Sequence, residues 1–115
     1  KSAIKEIKEL RVDFHKNVKI PGGLNEFNEQ LAKATRVSDF LELGELFAID
    51  ALERNESCGG HFREEFQTDD GEAIRDDRKF KFVSAWEYND DSSKPILHKE
   101  DLEYEDIEIK TRSYK

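Results

Sequence analysis

The side chains that could bind a metal or act as a nucleophile are few and widely spaced. The three histidines, His15, His61 and His98, form none of the HxxxH, CxxC or HExxH spacings that place ligands on one ion. Cys58 precedes His61 by three residues, so a thiolate–imidazole pair is conceivable, but no third group is evident to orient the base. We therefore expect neither a metal site nor a catalytic cysteine.

The acidic residues and the glycine pairs are equally unspecific. The acids between residues 64 and 77 lack the twelve-residue spacing of an EF-hand loop, and with 27 Asp and Glu residues some pair always suits acid–base catalysis. Gly22-Gly23 and Gly59-Gly60 form neither GxGxxG nor GxxxxGK and follow no predicted strand. They predict turns, so we expect no catalytic and no cofactor-binding residue in this chain.

Length and charge limit the class of protein further. A chain of 115 residues suits one domain with a modest core. Its net charge of -8 disfavours nucleic acid and anionic membrane surfaces as partners, and no stretch approaches the roughly 20 apolar residues of a membrane span. The lone Cys58 suits a reducing cytoplasm. Because the sequence contains no methionine, we expect it to be a piece of a longer protein.

Two helical patterns occupy the first half of the chain. Apolar residues at steps of three and four predict a helix over residues 2–18, which ends at the Pro21–Gly23 turn. A second pattern predicts one long helix over residues 25–57, or two helices with a bend near residues 35–38. Asn25 is its predicted N-cap, and Gly59-Gly60 its predicted end. Since its apolar residues cover more than one face, we expect this helix to be the most buried.

The second half predicts an acidic connector and a hairpin. Residues 61–78 show little periodicity and predict an irregular acidic segment. Strict alternation then predicts a strand with an aromatic face, formed by Phe80, Phe82, Trp86 and Tyr88. A polar loop over residues 89–95 follows, and residues 96–98 are predicted to return as an antiparallel strand. A last extended segment is predicted after them.

The predicted fold class is α+β. It is a small antiparallel bundle of two to three helices followed by an antiparallel β-hairpin or small sheet. We expect a single domain over residues 1–115, helical over 1–60, with the connector at 61–78 and the hairpin and tail at 79–115.

Four strings carry a family resemblance. They are ESCGGHFREE from Glu56, RDD from Arg75, FVSAWEY from Phe82 and the terminal TRSYK. Together they resemble the C-terminal domain of the flavoprotein subunit of succinate dehydrogenase and fumarate reductase, over essentially the whole chain. The positions that match the family pattern are Glu56, Ser57, Gly59, His61, Arg63, Leu102, Tyr104, Arg112 and Tyr114. Cys58 departs from it, where arginine is usual, and so does Gly60, where alanine is usual.

The resemblance implies a structural domain of an oxidoreductase subunit that carries covalently attached FAD and interconverts succinate and fumarate. The family's flavin-linking and catalytic groups lie upstream of this segment, so the isolated segment should hold no cofactor and be inactive. The implied partners are the upstream flavin domain and an iron-sulfur subunit, with a membrane quinone-reactive subunit reached indirectly. The implied location is cytoplasmic, on the inner face of the bacterial cytoplasmic membrane. Candidate interdomain contacts are Glu56, Ser57, His61 and Arg63.

A different class of protein remains open from the residues alone. The helix pair and the acidic surface would also suit an independent acidic adaptor domain that binds a protein partner through its helices.

Overall fold

The structure is a computed structural model that describes residues 1–23, 25–89 and 94–111. Three helices precede two strands in the order α1 (Ser2–Asn17), α2 (Glu29–Glu53), α3 (Asp77–Phe80), β1 (Phe82–Glu87) and β2 (Ile96–Asp101). This arrangement confirms the α+β class. The chain divides into two compact units, residues 1–52 and 53–115, which are described separately below. None of the helices within the described ranges is long and apolar enough to cross a membrane.

Polar side chains join the two helices of the first unit. Glu45 of α2 lies 2.7 Å from the Arg11 guanidinium and 3.4 Å from the Lys8 ammonium group of α1. Farther along α1, the His15 ring lies 3.4 Å from the Ser38 hydroxyl. The contact later in α1, at His15, is with a residue earlier in α2, Ser38. The two helices therefore run antiparallel.

The apolar residues of this unit are poorly covered. Glu45 is the one buried residue among its described residues, whereas Phe40 is 64% exposed and Phe47 is 68% exposed. Helix α2 is the one described helix with a buried residue, as predicted, but that residue is an acid, and the expected burial of its apolar residues on more than one face is not seen. With 3.6 residues per turn, Phe40, Leu43 and Phe47 share one side of α2, roughly opposite Glu45. We call these three residues the α2 stripe.

Helix α2 is one continuous helix, but it is shorter than its apolar pattern predicts. It begins at Glu29 because the Asn28 side chain accepts a hydrogen bond from the Leu31 N–H at 3.1 Å, as an N-cap does. The same side chain donates to the Pro21 carbonyl at 2.9 Å, which fixes the preceding loop to the helix start. The prediction that Asn25 is the N-cap is therefore wrong.

Replacing the observed cap tests this assignment. Asn28→Ala removes both side-chain hydrogen bonds and should lower the free energy of unfolding by about 1 kcal/mol. The matched control is Asn25→Ala, which changes an exposed asparagine outside the helix and should cost far less. Urea titrations followed by circular dichroism give both values. Equal costs for the two variants would contradict Asn28 as the cap.

The hairpin of the second unit contains the buried apolar residue. Strands β1 and β2 pair antiparallel, from Phe82 opposite Asp101 to Glu87 opposite Ile96. Phe82 is 7% exposed and is the single buried apolar residue within the described ranges, while Trp86 on the same side of β1 is half-buried.

The predicted aromatic face is only partly correct. Phe80 belongs to helix α3 rather than to the strand, and Tyr88 lies beyond the strand and is exposed. The four-residue helix interrupts the alternation, which sequence periodicity alone does not reveal. The segment after β2 is not a strand, although its Leu102 N–H donates to the Lys81 carbonyl at 3.0 Å and extends the pairing by one residue. Residues 90–93 of the predicted polar loop and the family positions Arg112 and Tyr114 lie outside the described residues.

The acidic segment over residues 61–78 has little regular structure before α3, as predicted, but it folds back on itself. Phe66 and Ile74 are joined by a backbone hydrogen bond of 3.0 Å, and Thr68 and Glu72 by one of 2.8 Å. The Ile74 carbonyl then accepts a hydrogen bond from the Ser57 N–H at 2.9 Å. The segment is therefore a closed loop attached to the chain before it, rather than only a solvated connector.

Phe82 should dominate the stability of the second unit. Phe82→Ala removes its buried ring and should cost roughly 3 to 5 kcal/mol of unfolding free energy. The adjacent Val83, 51% exposed on the opposite side of the strand, provides the control, and Val83→Ala should cost well under half as much. Thermal melts of both variants measure the difference, and an unchanged melting temperature for Phe82→Ala would show that this ring is not core.

Candidate functional site

The family motif begins just after α2 and turns sharply. Cys58 and His61 exchange both backbone hydrogen bonds, at 2.8 and 3.0 Å, across the two-residue loop Gly59-Gly60. Gly59 occupies the first central position with φ of 58°, the left-handed region in which glycine is favoured. The turn predicted at this pair is confirmed, but the prediction that the pair ends the helix is wrong, because α2 ends at Glu53.

Glu56 is a buried carboxylate with two partners inside the second unit. It is 2% exposed. Its Oε1 accepts a hydrogen bond from Arg54 Nη1 at 2.9 Å, and its Oε2 accepts one from the Asp76 backbone N–H at 2.8 Å. Both oxygens are therefore satisfied, one by a cation and one by the residue that precedes helix α3, as a buried carboxylate requires.

Ser57 is fully buried and binds the chain that follows the turn. Its hydroxyl accepts a hydrogen bond from the Arg63 N–H at 2.8 Å and donates one to the Arg63 carbonyl at 3.1 Å. Because its own N–H donates to the Ile74 carbonyl, Ser57 joins the turn to the acidic loop. Because this hydroxyl both donates and accepts a hydrogen bond with main chain, it acts as a structural link and is not oriented by a base for nucleophilic attack.

Arg54 connects the motif to the start of the hairpin. Besides Glu56, its guanidinium donates to the Phe80 carbonyl at 3.0 Å and the Phe82 carbonyl at 3.2 Å. It also lies 5.5 Å from the centre of the Phe82 ring, and the Lys99 ammonium lies 4.6 Å from the same ring. These are cation–π distances. The buried Phe82 ring is thus flanked by two cations.

His61 and Arg63 both reach back to the end of α2. His61 Nε2 lies 2.9 Å from the Arg54 carbonyl, which can only accept, so Nε2 carries the proton. Arg63 Nη1 donates to the same carbonyl at 3.3 Å and to the Asn55 side chain at 2.6 Å, and its Nη2 reaches Glu65 at 3.2 Å. The His61 contact is therefore with main chain rather than with the thiol of the conceivable Cys58 pair.

A second arginine is fixed beside the motif. Arg75 donates to Asp77 at 3.0 Å from Nε and at 2.5 Å from Nη2. Hydrogen bonding to this carboxylate raises the pKa of Arg75 above its ordinary value, with smaller contributions from the charges of Asp77, Cys58 and Glu56. The ion pair with Asp77 therefore holds the Arg75 guanidinium at the first residue of helix α3.

The structure brings the four predicted residues Glu56, Ser57, His61 and Arg63 together around Arg54. The hydrogen bonds described above join residues of the second unit to one another, so the cluster ties the motif together. Across residues 1–23, 25–89 and 94–111, no three histidine, cysteine or acidic side chains form a group able to hold a metal ion. An open depression of about 390 Å³ contains none of the four residues; it is lined by Asp77, Lys81, Tyr104, Ile107, Glu108 and Ile109.

Sequence reasoning missed Arg54, the residue that joins these contacts. Its carbonyl partners lie 26 and 28 residues away, and no periodic pattern connects them to it. One feature of the sequence could have indicated it: Arg54 lies two residues before Glu56, which matches the family pattern, and it is the one cationic residue between α2 and the Gly59-Gly60 turn.

Removing the buried carboxylate should be costly. Glu56→Ala removes the carboxylate that accepts hydrogen bonds from Arg54 and from the Asp76 N–H, and should lower the free energy of unfolding by roughly 3 kcal/mol. The control is Glu53→Gln, which breaks an exposed ion pair of 3.5 Å with Lys99 and should cost less than about 1 kcal/mol. Denaturant titration of both variants measures the contrast, and similar costs would contradict a structural role for the buried pair.

The comparison with known protein families matches residues 1–114 to the family described as fumarate reductase flavoprotein C-term. The chain therefore belongs to the family of C-terminal domains of fumarate reductase and succinate dehydrogenase flavoproteins, which are oxidoreductases. Searches of the curated proteins and of the solved structures found no match. Family membership favours the flavoprotein assignment over the independent adaptor.

Proposed function

We propose that this chain is the C-terminal structural domain of an FAD-containing subunit that interconverts succinate and fumarate, and that it packs on the flavin domain near an iron-sulfur subunit. The observation that carries the proposal is the family match over residues 1–114. The chemistry then belongs to the flavin domain, and the segment contributes a surface. The proposal includes a single domain over residues 1–115, a quinone-reactive membrane subunit reached indirectly, and a cytoplasmic location on the inner face of the bacterial cytoplasmic membrane.

The chain's own residues support a structural role rather than a flavin-binding one. A dinucleotide site needs a glycine-rich turn between a strand and a helix, so that helix N–H groups meet the pyrophosphate. Here the Gly59-Gly60 amides lie in a two-residue turn between Cys58 and His61, and the next helix of the described chain, α3, starts only at Asp77. We therefore place FAD in the upstream domain and expect the isolated segment to be inactive.

The α2 stripe is the surface that best fits an interdomain contact. The apolar pattern of α2 predicts burial on more than one side, yet Phe40 and Phe47 are mostly exposed. Exposed apolar side chains grouped at helical spacing mark sites of association, because each buried phenylalanine contributes about 1.5 to 3 kcal/mol. We propose that the flavin domain covers this stripe in the complete subunit.

Charged substitutions in the stripe separate this role from folding of the segment. Phe40→Asp with Phe47→Asp should leave the stability of the isolated chain within about 1 kcal/mol, because both rings are exposed there. In the complete subunit the same pair should lower the melting temperature and the flavin content. The control pair, Phe40→Leu with Phe47→Leu, keeps the surface apolar and should behave nearly as wild type. Wild-type flavin content and melting temperature in the Asp variant would exclude the stripe from the interdomain surface.

Of the four motif residues, His61 and Arg63 are the ones that are partly exposed, and we propose that they also contact another part of the complete subunit. Both are partly exposed, whereas Glu56 and Ser57 are buried within the second unit. An arginine at an interface holds carbonyl or carboxylate oxygens through charge-assisted hydrogen bonds, so its removal costs a few kcal/mol.

Arg63→Ala in the complete subunit should therefore reduce flavin content, association with the iron-sulfur subunit and fumarate turnover. The matched control is Arg78→Ala, which removes an exposed arginine of helix α3 and should change none of the three. Wild-type values for all three quantities in Arg63→Ala would reduce Arg63 to a residue of local structure. Tight flavin binding by the 115-residue chain alone would overturn the assignment of the chemistry to the upstream domain.

A further inference from the structure

We draw no further inference here: the strongest candidate, the exposed apolar stripe of Phe40, Leu43 and Phe47 on helix α2, already belongs to the proposed interdomain surface, and nothing in the structure shows what else covers it.

Discussion

The second unit depends on one buried charge, the Glu56 carboxylate. Removing a carboxylate from water is unfavourable unless each oxygen finds a donor, and here Arg54 and the Asp76 N–H provide them. Satisfying Glu56 fixes Arg54, and Arg54 in turn fixes the carbonyls of Phe80 and Phe82. The chain after α2 is thus tied to the start of the hairpin by charge-assisted hydrogen bonds, which are directional and specify one arrangement.

The first unit also contains a buried acid, Glu45, that pairs with cationic side chains. Glu45 lies between Lys8 and Arg11, and no apolar residue in the described part of that unit is buried to the same degree. A composition with 40% charged and 36% hydrophobic residues leaves little apolar surface to form a core. Ion pairs position the helices but contribute less net stability than apolar burial. This balance suits a domain whose apolar surfaces are completed by a neighbour, as we propose.

Local patterns predicted the elements better than their ends or their contacts. Apolar periodicity located both long helices, but it extended α2 by four residues at each end. At the start of α2 the difference arises because Asn28, not Asn25, accepts a hydrogen bond from the first turn. Alternation located β1 but missed that Phe80 belongs to a short helix. The resemblance selected Glu56 and Ser57, yet the Glu56 carboxylate binds the Asp76 N–H and the Ser57 N–H binds the Ile74 carbonyl, contacts that arise only when distant segments meet. Pairing over such separations is a tertiary property that no short pattern encodes.

The position of Trp86 allows the unfolding of the two units to be followed separately by spectroscopy. Trp86 is the only tryptophan, all three tyrosines also follow residue 53, and residues 1–52 contain neither type. Indole emission therefore follows the hairpin unit, whereas helical ellipticity comes mainly from α1 and α2, which lie almost entirely in the first unit. When the two signals change at the same denaturant concentration, the 115 residues unfold as one cooperative body, and when they separate, the chain contains two.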